Sequence, residues 1–87
     1  MEYGLEIPSH IDKLFTRLAK RNRKQLEIIF KKLQEVRRNP THYKPLRGDL
    51  RGAYRVHIDK SFVLVYEIDE RRKIVRVLDY GHHDEVY

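Results

Sequence analysis

Basic and histidine side chains are concentrated in residues 44–66, which read KPLRGDLRGAYRVHIDKSFVLVY. Apolar and polar residues alternate from Tyr54 onward, and a β-strand sends alternate side chains to opposite faces. One face of the predicted strand is therefore apolar, and the other carries Arg55, His57 and Asp59. A guanidinium, an imidazole and a carboxylate side by side are suited to acid–base chemistry on an anionic substrate.

Cleavage of RNA is one such chemistry. It needs a base for the 2′-hydroxyl, cations for the phosphate in the transition state, and an acid for the departing 5′-oxygen. His57 and Arg55 share a strand face, and His83 and Tyr87 follow a strand that could lie beside it. Phe62 or Tyr87 could stack on an unstacked base. The candidate phosphate-binding cations are Lys44, Arg47, Arg51 and Lys60. Both histidines are also compatible with ordinary surface positions.

Other chemistries fit the sequence less well. Residues 82–85 all have metal-ligand side chains, but four consecutive residues are not expected to converge on one ion, so no metal site is predicted. Ser9 and Ser61, the only serines, read as a helix cap and a turn residue. The chain has no cysteine and no glycine-rich nucleotide loop, so neither a nucleophilic triad nor a cofactor is predicted.

The composition predicts one small, heavily charged domain. The chain has 87 residues, of which 40% are hydrophobic and 37% charged, enough for a single modest core. It lacks a long apolar run, a signal pattern and cysteine, so a cytoplasmic location is the default expectation. The net charge of +6 arises from residues 17–60. That asymmetry favours a polyanion partner such as nucleic acid, and equally fits a solvated basic helix face.

Two helices are predicted in the first half of the chain. A short strand over Tyr3–Ile7 is closed by Pro8, and Ser9 follows as a candidate N-cap. Asn22 is a candidate cap for a second helix that runs to about Asn39. Apolar residues recur at helical spacing in both segments, at Ile11, Leu14, Phe15 and Leu18 and again at Leu26, Ile29, Phe30 and Leu33.

Three strands are predicted in the second half, after a loop over residues 40–52. Their predicted ranges are Ala53–Ile58, Phe62–Ile68 and Lys73–Tyr80, joined by links of hairpin length. The middle strand is apolar on both faces, which indicates a central position in the sheet. The fold class is therefore α+β: an N-terminal strand, an antiparallel helix pair and a three-stranded antiparallel meander, with the helices on one face of the sheet.

Four segments resemble one known family. They are KPLRG at residues 44–48, YRVH at 54–57, LVY at 64–66 and the ending GHHDEVY at 81–87. With this order of elements, the chain is similar to the RelE/ParE superfamily of toxins from toxin–antitoxin pairs, and its nearest pattern is the YafQ type. The resemblance covers nearly the whole chain and implies a RelE-like fold.

The resemblance also implies an activity and partners. RelE-type toxins are metal-free endoribonucleases that cut mRNA in the ribosomal A site, so the implied partners are a cognate antitoxin, the ribosome and mRNA, without a membrane. By position, His83 is the implied general acid, Tyr87 an aromatic that orients the substrate, and His57 a second catalytic or phosphate-binding group. Lys44 and Arg55 stand where the YafQ pattern and RelE have a catalytic histidine and lysine, respectively.

Two positions depart from the family pattern. Val63 stands where RelE and YoeB carry an arginine, and Ser61 where the YafQ pattern has an acidic residue. His57, assisted by Asp59, is therefore the predicted base, and Lys44, Arg47 and Arg55 supply the positive charge. Two alternatives keep the same fold: a ParE-like toxin that inhibits DNA gyrase by binding, and an RNA-binding relic without catalysis.

Overall fold

The computed structural model of the chain describes residues 2–86, apart from the side chain of Leu50. Two α-helices lie against a five-stranded sheet. The strands are β1 (Gly4–Glu6), β2 (Lys44–Pro45), β3 (Ala53–Ile58), β4 (Phe62–Asp69) and β5 (Ile74–His82), and the helices are α1 (Ser9–Arg21) and α2 (Arg23–Arg38). A single 3₁₀ turn, Gly48–Leu50, lies between β2 and β3.

The two helix starts are built differently. The Asn22 side chain accepts a hydrogen bond from the Gln25 backbone N–H at 3.1 Å, so the predicted cap of α2 is confirmed. The predicted cap at Ser9 is wrong, because Pro8 is the N-cap of α1 and Ser9 is already helical. The extended backbone of Pro8 directs its carbonyl oxygen to the N–H groups of Ile11 and Asp12, at 3.0 and 2.9 Å.

The sheet has the order β1-β5-β4-β3-β2. Strands β3, β4 and β5 form the predicted antiparallel meander, and β4 lies at its centre as its apolar sequence indicated. β1 adds a parallel edge beside β5. The other edge, β2, lies inside the predicted loop, because a two-residue strand has no periodicity that a sequence could show.

The helices cover one face of the sheet only. Their apolar stripes pack on Val56, Leu64 and Tyr66, which point from the same face of β3 and β4, to form one core. The opposite face, which we call the outer face, carries Arg55 and His57 of β3, Val63, Val65 and Glu67 of β4, and Arg76, Asp79 and Gly81 of β5. The predicted α+β arrangement with helices on one face is confirmed. No helix within residues 2–86 is long and apolar enough to cross a membrane.

Candidate active site

A cationic pocket opens on the outer face where β2 meets β3. Lys44 of β2 lies directly opposite Arg55 of β3 in the antiparallel register, which brings the two cations together. The chain then turns so that Arg47 joins them, and the Leu46 N–H donates to the Ala53 carbonyl oxygen at 2.9 Å to close this turn. The resulting cavity of about 480 Å³ is lined by Lys44, Pro45, Leu46, Arg47 and Arg55.

Arg55 is the least satisfied side chain of this pocket. Its Nε atom is buried, yet it has no hydrogen-bond partner among the described residues. Buried nitrogen donors are nearly always paired in folded proteins, so an orphaned one beside a cavity marks Arg55 as a candidate ligand-binding side chain. A guanidinium favours phosphate or carboxylate oxygens, which it can bind through two donors at once.

Tyrosine side chains of the core support the segment that forms the pocket. The Tyr66 hydroxyl donates to the Pro40 carbonyl oxygen at 2.6 Å and anchors the start of the segment that leads to Lys44. Tyr54 stacks on the Tyr66 ring with centroids 5.6 Å apart, and Tyr43 meets that ring edge-on. Burial raises the pKa of Tyr66 far above its ordinary value, so the hydroxyl stays protonated as a donor. The pocket is therefore built on a rigid aromatic support.

His57 lies on the outer face, two residues beyond Arg55, and is exposed. Its neighbour on β4 is Val63, whose own partner on β5 is Gly81. Val63 and Val65 are almost fully buried although no helix covers this face, so they form an apolar floor between His57 and β5. Two strand spacings separate His57 from Gly81, roughly 10 Å. Asp59 lies in the turn after β3 with φ 56°, off the strand register, so its assistance to His57 stays a prediction.

The tail, residues 83–86, folds back over this floor. The His83 backbone N–H donates to the Ser61 carbonyl oxygen at 2.8 Å, which fixes His83 beside the β3–β4 turn. A Cβ atom placed on Gly81 would lie 2.8 Å from Cγ2 of Val86, so this glycine is what lets the tail approach the sheet. Sequence reasoning missed Val86, because nothing in the pattern shows that the tail reverses after β5.

The remaining candidates are scattered. Arg51 is exposed outside the pocket lining, and Lys60 is exposed in the β3–β4 turn beside Ser61, at the His83 end of the face. Phe62 points to the helix face, where it stacks on Tyr80 at 5.5 Å, so the fold does not bring it to Arg55 and His57. Tyr87 lies outside the described residues. The structure thus groups Lys44, Arg47 and Arg55, places His57 on the same face, and puts His83 at its far end.

Three potential metal ligands converge where β5 ends. The ligand atoms of His82, His83 and Asp84 lie within 4.8 Å of one another. All four of residues 82–85 were not expected to converge on one ion, and three of them bring their ligand atoms together. The strand gives way to a turn at His82, which removes the alternation that would hold neighbouring side chains apart.

The fold and sequence match known toxins. The sequence profile of the ParE toxin of type II toxin–antitoxin systems matches residues 6–87. A Methanocaldococcus jannaschii protein that carries the toxin name RelE4 is 49% identical over 85 residues, which are 98% of this chain and 90% of that protein.

Two solved structures show the same fold. The intact Escherichia coli RelBE toxin–antitoxin complex contains a chain that is 30% identical, with a TM-score of 0.71 over 92% of this chain and 95% of that one. Escherichia coli YafQ, the type nearest in motif pattern, is 18% identical with a TM-score of 0.66 over 99% of each chain, which shows the fold alone. The chain belongs to the RelE/ParE superfamily of toxins of type II toxin–antitoxin systems.

Proposed function

We propose that the protein is a ribosome-dependent endoribonuclease that cleaves mRNA in the ribosomal A site without a metal. The observation that carries this proposal is the cationic pocket with its orphaned Arg55 Nε, on the same sheet face as an exposed histidine. A phosphodiester group of RNA supplies the acceptor oxygens that this pocket lacks. The RelE4 name of the archaeal relative also supports a RelE-type activity.

Different side chains of the outer face carry out the successive steps of the cleavage. His57 takes the proton from the 2′-hydroxyl, and the 2′-oxygen attacks the adjacent phosphorus. Lys44, Arg47 and Arg55 stabilise the added negative charge on the phosphoryl oxygens. The bond to the 5′-oxygen breaks, and His83 protonates that oxygen as it leaves. The products are a 2′,3′-cyclic phosphate and a free 5′-hydroxyl, so no water or metal enters the step.

A second basic area supports an RNA-rich partner. The helices expose seven cations that form no ion pair among residues 2–86, namely Lys13, Arg17, Lys20, Arg21, Arg23, Lys24 and Lys31. Arg23 and Lys24 occupy the first turn of α2, where the helix dipole disfavours positive charge and no acidic residue compensates. Contact with the phosphates of a large RNA would offset that repulsion, and the ribosome provides such a surface.

The test is cleavage of mRNA on translating ribosomes, read by mapping the new 5′ ends. We expect cuts in phase with codons, undiminished by EDTA at a concentration that leaves the ribosomes intact. The His83→Ala variant should lose about 10²- to 10⁴-fold in rate, the usual contribution of a general acid. His10→Ala, which removes an exposed histidine on α1, is the matched control and should cleave like the unmodified protein. Intact mRNA would overturn the proposal, and so would an unimpaired His83→Ala variant.

A ParE-like inhibitor of DNA gyrase is the second candidate, because the matching family profile is that of the ParE toxin. Such a protein would block supercoiling by purified gyrase and leave mRNA intact. In that case His83→Ala should have no effect on inhibition. The same two assays on one preparation therefore separate the candidates.

The proposed function also includes an antitoxin that binds the protein and blocks its activity. The Escherichia coli RelBE chain is described in a toxin–antitoxin complex, and the present chain shares its fold and nearly its whole length. We expect an antitoxin with an acidic segment to cover the basic helix surface or the cationic pocket and so keep RNA away. Co-expression should relieve growth arrest, and the purified complex should not cleave mRNA. Cleavage by a stable complex would contradict this arrangement.

A further inference from the structure

We propose that His82, His83 and Asp84 form a binding site for a divalent transition-metal ion, with Zn²⁺ as the representative, and that the bound ion inhibits the protein. The site lies at the end of β5, outside the cationic pocket. The inhibitory part rests on the proposed nuclease function, whereas metal binding itself does not.

The geometry of the three side chains suits one ion. The His83 Nδ1 atom lies 3.1 Å from one carboxylate oxygen of Asp84, and the His82 Nδ1 atom lies 3.5 Å from the other. A tetrahedral zinc ion with ligands at about 2.0–2.1 Å needs its donors roughly 3.4 Å apart, so small side-chain rotations are enough. The Asp84 backbone N–H donates to His82 Nδ1 at 3.2 Å, and a metal ion at this nitrogen would replace that hydrogen bond.

The surroundings leave room for a further ligand. A shallow cavity of about 290 Å³ adjoins the site and is lined by His83, Asp84, Glu85 and Val86. The Glu85 carboxylate or a water molecule can occupy the fourth position of a tetrahedral ion there. Two imidazoles and a carboxylate select zinc and its neighbours over magnesium and calcium, which prefer oxygen ligands alone.

Metal binding would remove the proposed acid. A histidine that ligates a metal does so as neutral imidazole, and the coordinated nitrogen carries no proton to donate. The ion would therefore hold His83 in a form that cannot protonate the departing 5′-oxygen. The ligands come from consecutive residues, so binding needs no change elsewhere in the fold.

Calorimetric titration of Zn²⁺ into the full-length protein tests the site directly. We expect one ion per chain and no heat with Mg²⁺. Asp84→Asn, which preserves shape, and His82→Ala should each weaken binding by about tenfold or more. His10→Ala should bind like the unmodified protein. Absence of zinc binding, or binding that survives both site variants, would overturn the site.

The ribosomal cleavage assay then tests inhibition. Zinc should slow cleavage by the unmodified protein, EDTA should restore it, and the Asp84→Asn variant should need about tenfold more zinc for the same fractional inhibition of its own zinc-free rate. One bound zinc without slower cleavage would overturn the inhibitory role. Absence of cleavage under every condition would overturn the proposed nuclease function instead, and the calorimetry alone would then decide the metal site.

Discussion

Arg55 and Arg76 lie on the same outer face of the sheet, yet their surroundings differ. Arg76 on β5 is held between two carboxylates: its Nε atom lies 2.7 Å from Glu6 of β1, and its Nη1 atom donates to Glu67 of β4. Arg55 on β3 has Lys44 as its cross-strand neighbour and a buried Nε atom without a partner. One arginine is neutralised by its own chain, and the other lies beside a second positive charge.

This contrast separates an arginine that is paired within the chain from one that we propose binds a ligand. Arg76 joins three strands, and the two carboxylates raise its already high pKa further, so the guanidinium itself stays charged at any working pH. No carboxylate among residues 2–86 pairs with Lys44, Arg47 or Arg55. Three cations close together repel one another, and an anionic ligand reverses that cost. Substitutions at the two arginines should therefore act on different properties.

The largest expected effect is on activity, in the Arg55→Ala variant. Removal of one preorganised donor to a transition-state anion typically lowers the rate about 10²- to 10³-fold. The melting temperature should stay the same or rise, because the change deletes a buried donor that has no partner. Arg71→Ala, at an exposed arginine of the β4–β5 turn, is the matched control. A large loss of stability with normal cleavage would reverse the assignment of Arg55.

The next effect concerns the tail that carries His83. In Gly81→Ala the new Cβ atom would meet Cγ2 of Val86 at 2.8 Å, so the Val86 side chain or the tail that carries it must shift. We expect the cleavage rate to fall about tenfold or more, since displacement of a catalytic group by about 1 Å can cost that much. The double variant Gly81→Ala/Val86→Ala removes the obstructing methyl group and should recover part of the loss relative to Val86→Ala. Equal losses in the single and double variants would show that the tail does not position His83.

Arg76→Ala should act on stability instead. It leaves Glu6 and Glu67 without the cation between them, so β1 and β4 lose their link to β5. We expect the melting temperature to fall by several degrees, while the cleavage rate measured well below that temperature stays close to that of the unmodified protein. Arg71→Ala again serves as the control, by thermal denaturation. An unchanged melting temperature would show that these ion pairs contribute nothing measurable to stability.

Much of the fold was predictable from residue patterns. The apolar spacing of the helices, the Asn22 cap and the alternation in β3 are local signals, and the structure confirms each of them. The two-residue strand β2 and the parallel pairing of β1 depend on contacts distant in sequence, so the pattern could not show them. The Pro8 cap was missed because its carbonyl oxygen replaces the side-chain cap that Ser9 would provide.

The site was predictable only in part. Strand alternation places Arg55 and His57 on one face, but the approach of Lys44 depends on the β2 register. Val63, where the resembled pattern has an arginine, is fully buried at the floor of the face beside Gly81. The convergence of His82, His83 and Asp84 depends on the end of β5, which was predicted two residues too early. The roles of His57, His83 and Tyr87 stay predictions until they are tested by substitution.

The smallest expected effect is on the acid dependence of the melting temperature, which tests the pairing of Arg76 with Glu6. Hydrogen bonding to Arg76 holds the pKa of Glu6 below its ordinary value of 4.5. A carboxyl with a lower pKa in the folded state contributes stability above its unfolded pKa, and that contribution disappears as the pH falls through the folded value. The melting temperature should therefore decline below about pH 4.5, and less steeply in the Glu6→Gln variant.

Part of the decline should remain in Glu6→Gln, because hydrogen bonds from Tyr3 and Lys73 lower the pKa of Glu70 in the same direction. Glu27→Gln, at an exposed residue of α2 outside every described ion pair, should decline like the unmodified protein. Thermal denaturation followed by circular dichroism from about pH 7 to about pH 3 measures all three proteins. Substitution of Arg55 should leave the acid dependence of the melting temperature unchanged, because no carboxylate pairs with it. Identical slopes of melting temperature against pH for Glu6→Gln and the unmodified protein would contradict the pairing of Glu6 with Arg76. They would also contradict the distinction between Arg76 and Arg55.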